Sequence, residues 1–426
     1  MRTNNFSARN IFAHHNNCYW TVVFSSKSLI LIVCVLFVLL VPVDFFYPIN
    51  PEARMVPHLL RAAILVILLL CAMGALFRSI SFPLAKLLFV YSLLLILQSL
   101  FVSENLKAVW FELSKFLIWP IGTIAFYLWT RAHRFNSRLM VVTVSLILVP
   151  AIIKSVTISL NPTAYTLVET NAYAYFLLFS IPLILIVGWP SKTSLALALL
   201  AGFAIVLSLK RGAVVALTLS MLAYGITYSK CNSKPLIYRK LVPFILIFAI
   251  VVISVSVWRW DQLLLRWADA SDLDSIGSGR GTFYRLILQH WLSGDFVNKI
   301  FGLGLFSVAP SIGNRGYFEE YAHSDWLQIL HDQGVIGISL FAAIHLSILK
   351  MIHQSFQMKH LVTPSLVMGE TIFLLANIYS GCTADTESML CFSMLLGYSS
   401  AKIGEHHQQM QPAFCEITRN RASLKS

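Results

Sequence analysis

Long apolar stretches separated by short polar connections recur along most of the chain. An apolar helix needs roughly 20 residues to cross about 30 Å of hydrocarbon, and about twelve stretches approach that length. The expected spans are residues 28–46, 58–77, 83–101, 109–129, 139–159, 171–189, 193–209, 212–229, 241–257, 334–352, 363–380 and 386–402. Because backbone in lipid must pair its own polar groups, and because the alternation of barrel strands is missing, each is predicted to be helical. The pattern therefore predicts an all-α polytopic membrane protein with about 12 transmembrane helices.

Composition agrees with this architecture. Of the 426 residues, 57% are hydrophobic and only 12% are charged, with a mean hydropathy of +0.73. One soluble core could not hide that much apolar surface, so membrane lipids are expected to be most of the solvent.

The distribution of Lys and Arg predicts the orientation in the membrane. Most basic residues, including the cluster at 230–240, fall on one set of connections, whereas the short opposite connections 155–170 and 381–386 have none. By the positive-inside rule both termini are cytoplasmic. The same asymmetry accounts for the net charge of +13 without a nucleic-acid partner, since no motif interleaves these cations with aromatic residues.

The connection between the ninth and tenth spans is too long to be a simple linker. The predicted organisation is therefore residues 1–257 with helices 1–9, a large outer loop at 258–333, residues 334–402 with helices 10–12, and a cytoplasmic tail at 403–426. Apolar residues recur with helical spacing at 282–291, so the loop is expected to contain helices.

Three short motifs lie on the outer side of this predicted topology. Arg211 precedes Gly212 between the seventh and eighth spans, and Gly279 precedes Arg280 in the large loop. His323 precedes Ser324, nine residues and then Gly334-Val335-Ile336-Gly337. Cations near a membrane interior are costly and are usually retained for a function. Because the three motifs come from separate segments on one side of the membrane, we expect them to form a pocket.

Each motif also has a purely structural interpretation. His323 would cap the tenth span, and Lys210 with Arg211 would extend to outer headgroups. His290 and His331 are interpreted as structural or acceptor-side residues. The acidic run Asp269, Asp272 and Asp274 lacks the spacing of a calcium loop, Asp44 has no carboxylate partner, and the seven cysteines show no zinc spacing. We therefore expect no metal site.

The ordered motifs resemble those of the O-antigen ligase and O-antigen polymerase superfamily. The superfamily pattern is His, then Asn, Ser or Gln, nine residues, Gly, two residues, and Gly, Thr or Tyr, which the segment from His323 to Gly337 fits throughout. The resemblance covers roughly residues 200–345. Ser324 stands where Asn is frequent, and Lys210 replaces a usual Ser before Arg-Gly. The resemblance implies a glycosyltransferase of GT-C-like architecture whose large loop is periplasmic.

That resemblance also implies a reaction. O-antigen polysaccharide would move from undecaprenyl diphosphate to a sugar hydroxyl of lipid A-core, at the periplasmic face of the bacterial inner membrane, without metal or cofactor and with inversion. His323 is the expected base, and Arg211 and Arg280 are expected to stabilise the diphosphate. Lys210 and Arg285 are candidates for the same diphosphate site, and Tyr321, Trp326 and Trp291 are candidates for sugar contact.

Two other functions stay open at this stage. An O-antigen polymerase would use the same lipid-linked donor, and its acceptor cannot be distinguished from the residues alone. A transporter or flippase is a third hypothesis, for which repeat symmetry or helices broken at mid-membrane are expected, and the sequence shows neither. The length, the two cytoplasmic ends and the single dominant loop favour the ligase.

Overall fold

The computed structural model describes residues 27–46, 55–76, 83–102, 106–160, 166–186, 192–231, 280–308 and 321–423, with a few isolated positions between 250 and 260. Within these ranges the regular structure is entirely helical. The helices are α1 Lys27–Phe46, α2 Met55–Leu76, α3 Pro83–Phe101, α4 Leu106–Arg131, α5 Ser137–Leu160, α6 Thr166–Leu185, α7 Lys192–Leu207, α8 Arg211–Cys231, α9 Arg280–Ser293, α10 Phe296–Phe301, α11 Asp325–Gln357, α12 Thr363–Tyr379 and α13 Thr386–Ser423.

Eleven of the twelve expected spans coincide with one of these helices, and the ninth, 241–257, lies largely outside the described residues. Five helices of the described part are long and apolar enough to cross a membrane by length and composition: Met55–Met73, Pro83–Phe101, Ser137–Leu160, Arg211–Cys231 and Asp325–Gln357. Shorter apolar helices occupy Lys27–Val43, Tyr173–Leu185 and Lys192–Leu207. The helices support a polytopic membrane protein, while the count of twelve spans stays a prediction.

Helix α4 packs against α2, α3 and α13, and small residues allow its close approach to α13. A Cβ on Gly122 would lie 2.9 Å from the Ser393 hydroxyl oxygen, and one on Gly397 would lie 2.7 Å from the Thr123 carbonyl oxygen. Small residues at such crossings bring backbones together where lipid provides little hydrophobic driving force. Around this crossing the core is aromatic, with the rings of Phe373 and Phe392 centred 4.2 Å apart.

Helices on the outside of the bundle expose apolar side chains. Val66, Leu146, Ile153 and Leu222 are all more than half exposed. In water such apolar surfaces would favour aggregation, whereas in contact with lipid hydrocarbon they carry no hydrophobic penalty. Pro120, Pro150 and Pro182 lie inside α4, α5 and α6.

The tenth predicted span begins earlier than its apolar pattern suggests. Helix α11 starts at Asp325 and is interrupted at Gly334, whose φ of 63° and ψ of −159° are not helical. The residues before the interruption include buried polar groups, so hydropathy did not reveal them as helix. The predicted boundary at 334 therefore marks a kink within α11 rather than its start.

Candidate active site

His323 and Ser324 form the entry to α11. His323 is half-buried, and its φ of 49° lies in the left-handed region that non-glycine residues rarely adopt. Just before it, the backbone N–H of Ala322 donates to the Gln328 side-chain oxygen at 2.9 Å. Ser324 is buried, and its hydroxyl donates to the Asn377 carbonyl oxygen at 3.3 Å rather than capping its own helix. Ser324, rather than His323, occupies the N-cap position of α11.

Asp325 fastens the entry of α11 to the turn between α12 and α13. Its fully buried carboxylate accepts the Cys382 backbone N–H at 2.8 Å and the Thr383 backbone N–H at 3.3 Å. It also accepts the hydroxyl groups of Thr383 and Tyr321. Burial and, secondly, the neighbouring Asp325 raise the pKa of Tyr321 well above its usual value, so the phenol stays protonated as a donor.

The spacing of the His323 motif follows from the kink at Gly334. A Cβ on Gly334 would lie 2.4 Å from the Ile300 carbonyl oxygen, and one on Gly302 would lie 2.2 Å from the Asp332 carbonyl oxygen. Both glycines have positive φ, so the end of α10 and the kink of α11 meet backbone to backbone. The nine intervening residues thus form the short helical segment that sets His323 at a fixed distance from this contact.

A buried polar network supports the same segment. The Asp332 carboxylate accepts the Phe306 N–H at 2.8 Å, the Ser307 hydroxyl at 2.8 Å and the Gln328 amide at 2.7 Å. The Ser307 hydroxyl also lies 2.9 Å from His331 Nδ1. His331 is fully buried, and its Nε2 lies 2.9 Å from His290 Nδ1 on α9. Both histidines therefore contact protein groups of this network.

Arg280 is the first residue of α9, which rests on the entry of α11. Its guanidinium Nη1 donates to the Tyr379 carbonyl oxygen, at the last residue of α12. Phe283 and Ile287 on the same helix are buried in a small cluster with Val308 and Ala322. This apolar contact holds α9 against the bundle, and it leaves Arg280 at the end of α12.

Arg211 is the first residue of α8, next to the same end of α12. A Cβ on Gly212 would lie 2.8 Å from the Tyr175 hydroxyl oxygen and 3.6 Å from the Tyr379 Cβ, so the Arg-Gly pair permits a close approach that a larger residue would block. Lys210 Nζ lies 5.7 Å from the centre of the Tyr175 ring, a cation–π distance. Arg211 itself is exposed.

The three motifs therefore meet around the C-terminal end of α12. Arg280 contacts Tyr379, Gly212 lies against Tyr379, and Ser324 contacts Asn377. Three segments that are distant in sequence thus contact one helix end. A pocket lined by the Arg211, Arg280 and His323 side chains on the outer face stays a prediction.

The other candidate residues are placed less uniformly. Arg285 is exposed and lies about 140° around α9 from Arg280, so the two do not share a face. Tyr321 stacks against Phe116 at 6.3 Å, and Trp326 stacks against His345 at 5.6 Å, so protein neighbours occupy part of their ring surfaces. Trp291 is half-buried near the end of α9.

Several polar residues near the site were missed by the sequence analysis. Asp325, Asp332 and Tyr284 lie within or beside the motifs, and the Tyr284 hydroxyl donates to the His323 carbonyl oxygen at 2.8 Å. In the bundle, His345 Nδ1 lies 2.6 Å from Glu370 Oε1, and both residues are buried. The available signal was an acidic or histidine residue inside an apolar helix, which is costly unless paired. Asp44, Asp269, Asp272 and Asp274 are outside the residues whose side chains the structure describes.

The apolar helices of the bundle support a polytopic membrane protein, and polar residues of three sequence motifs cluster at the end of α12. The family profile described as O-antigen ligase matches residues 196–342. This segment contains Arg211, Arg280 and His323, and the resemblance to the O-antigen ligase and polymerase superfamily is thereby confirmed. A search of curated proteins finds no match.

Proposed function

We propose that the protein is an O-antigen ligase, which transfers O-antigen polysaccharide from undecaprenyl diphosphate to a sugar hydroxyl of lipid A-core during lipopolysaccharide synthesis. The observation that supports the proposal is that Arg280, Gly212 next to Arg211, and Ser324 next to His323 all contact the end of α12, and that all three motifs lie within the segment matched by the family profile. The protein would lie in the inner membrane with this site at the periplasmic face and both termini in the cytoplasm.

The cations form the proposed donor site. As the bond between the anomeric carbon and the diphosphate oxygen breaks, negative charge grows on the lipid diphosphate. Guanidinium groups keep their charge and can offer two parallel N–H donors to phosphate oxygens, so Arg211 and Arg280 are assigned to this charge. Lys210 joins them as a compact charge near Tyr175. Arg285 is a more peripheral donor-site candidate, because it lies on another side of α9.

His323 is the proposed base. The acceptor hydroxyl oxygen attacks the anomeric carbon, its proton passes to a neutral imidazole nitrogen of His323, and undecaprenyl diphosphate leaves with the electron pair of the broken bond. Direct displacement in one step inverts the anomeric configuration. General-base catalysis of this kind contributes about 10²–10⁴ in rate. Tyr321, Trp326 and Trp291 are proposed as sugar contacts through the ring surface that their protein neighbours leave uncovered.

The arginines make a divalent cation unnecessary in this mechanism, because they supply the positive charge that a metal would otherwise bring. Purified protein treated with a chelator should therefore keep its transfer activity. A loss of activity that added Mg²⁺ or Mn²⁺ restores would contradict the assignment of the donor site to arginine alone.

Deletion of the gene and analysis of the lipopolysaccharide test the function directly. Loss of a ligase leaves lipid A-core without O-antigen, while undecaprenyl-linked polysaccharide accumulates. Core that carries a single repeat unit would instead identify an O-antigen polymerase. Normal lipopolysaccharide would reject both enzymes, and failure of the lipid-linked donor to reach the outer face would favour the flippase hypothesis.

A further inference from the structure

The residue that links two of the motifs is Tyr284. It lies four positions after Arg280 on α9, so the two side chains share one face of the helix. From that face Arg280 donates to the Tyr379 carbonyl oxygen, and Tyr284 donates to the His323 carbonyl oxygen at 2.8 Å. One rigid turn of helix thus contacts both the end of α12 and the histidine of the proposed active site.

The backbone of His323 needs such support. A non-glycine residue with a φ of 49° is held in a sparsely populated conformation, which costs on the order of 1 kcal/mol or more and persists only where its surroundings impose it. On one side of His323, the Gln328 side chain accepts the Ala322 N–H. On the other side, Asp325 accepts the Cys382 N–H and so anchors the start of α11. Tyr284 fixes the carbonyl group between them, and the direction of that carbonyl sets the plane of the 323–324 peptide.

We propose that Tyr284 is a positioning residue that holds the His323 imidazole at its working distance from Arg280. The inference rests on the proposed function, because it assumes that His323 acts as the base and Arg280 binds the diphosphate. Tyr284 acts through the His323 backbone and does not itself touch the reacting atoms. A single helix, α9, therefore fixes the proposed base, His323, relative to the proposed diphosphate-binding residue, Arg280. Two independent loops are not needed to position them.

The substitution Tyr284→Phe isolates this role. The ring of Tyr284 packs against the apolar cluster of Phe283, Ile287, Val308 and Ala322, and Phe keeps that packing while removing only the hydroxyl group. Tyr224→Phe on α8 is the matched control, because Tyr224 is a buried tyrosine stacked on Tyr228 at 5.7 Å and contributes nothing to the proposed site.

The first measurement is steady-state transfer by the purified full-length protein, with undecaprenyl-diphosphate-linked O-antigen as donor and lipid A-core as acceptor. Tyr284→Phe should lower kcat about tenfold and leave KM for the donor within about twofold, because a small misplacement of a catalytic group slows the chemical step without weakening binding. Tyr224→Phe should leave both constants unchanged. A rise in KM with normal kcat would overturn the inference, as would normal values of both.

The second measurement does not depend on activity. Diethyl pyrocarbonate modifies imidazole nitrogens, and peptide mass spectrometry reports the rate at His323 alone. Tyr284→Phe should change this modification rate by about threefold or more, because the half-buried imidazole becomes more or less exposed once its backbone restraint is removed. Tyr224→Phe should leave the rate unchanged. A lower kcat with unchanged His323 reactivity would overturn the positioning role. If the wild-type protein transferred no glycan, the proposed function would fail. The reactivity measurement would still test whether the Tyr284 hydroxyl positions His323.

Discussion

His323 and Asp325 are two residues apart, yet the structure gives them different environments. His323 is half-buried, while the Asp325 carboxylate is fully buried and accepts hydrogen bonds from the 382–383 turn and Tyr321. An ionisable group committed to several internal hydrogen bonds suits a structural role, and one with an accessible side suits proton transfer.

Removal of the imidazole should therefore remove the chemistry and leave the fold intact. His323→Ala should lower the transfer rate by about 10² or more, since the acceptor hydroxyl loses its base. Rate measurements with purified protein, together with membrane insertion and thermal unfolding, check this expectation. His353→Ala is the control, because His353 is exposed near the far end of α11 and bonds only to Gln357 within the described part of the chain. Near-normal transfer by His323→Ala would refute the assigned base.

The planar geometry of the Arg280 guanidinium group should contribute to transfer activity, in addition to its charge. Arg280→Lys keeps the charge but loses the geometry that serves both the Tyr379 carbonyl and a phosphate, so we expect at least a tenfold loss of kcat/KM. Arg280→Ala should lose about 10² or more. Arg138→Lys, at an exposed position of α5, is the matched control and should behave as wild type. Equal activity of Arg280→Lys and wild type would show that charge alone is sufficient.

At the scale of elements, the interrupted helix α11 determines where the motif lies. Gly334→Ala adds a Cβ at a φ of 63° against the Ile300 carbonyl oxygen, so it should destabilise the protein by about 2–4 kcal/mol. Gly404→Ala, where a Cβ meets nothing within 4 Å, should be neutral or slightly stabilising in its helix. Thermal unfolding in detergent compares the two, and equal unfolding temperatures would contradict the backbone contact described at the kink.

The connection between α11 and α12 contains a pH-sensitive group. Burial, followed by the charges of His406 and Lys402, lowers the pKa of His360 from 6.5 to about 4, so the folded protein holds this imidazole neutral near pH 7. Because the folded pKa lies below the unfolded one, the contribution to stability is complete above about pH 6.5 and is lost as the pH falls towards 4. The unfolding temperature of His360→Gln should fall less steeply over that range than wild type, and parallel curves would contradict the prediction.

At the scale of the whole molecule, the helical class and the positions of most apolar helices were predictable, because hydrophobic length alone identifies a candidate membrane helix. The kink at Gly334 and the support by Asp325 and Asp332 were not, since they depend on backbone geometry and on partners distant in sequence. The three motifs could be found by spacing, but their meeting point at the end of α12 required the tertiary contacts of Tyr379 and Asn377.

The predicted orientation is also testable on the whole molecule. Ser293 at the end of α9 and Gln354 near the end of α11 are both exposed, and they are expected on opposite sides of the membrane. In spheroplasts a membrane-impermeant maleimide should label Ser293→Cys directly but Gln354→Cys only after permeabilisation. The five described cysteines are buried and give a low background. Labelling of both positions in intact spheroplasts would contradict the topology.

The meeting of α8 and α12 has a consequence for the direction of the donor. The backbone dipoles of α8 leave partial positive charge at its first residue, Arg211, whereas those of α12 leave partial negative charge at Tyr379, which Arg280 offsets. For the proposed donor, the first end attracts the anionic diphosphate, and at the second end Arg280 offsets the repulsion. Under the proposed function, the field of the two helices would orient the donor, with the lipid diphosphate towards α8 and the sugar to be transferred towards His323.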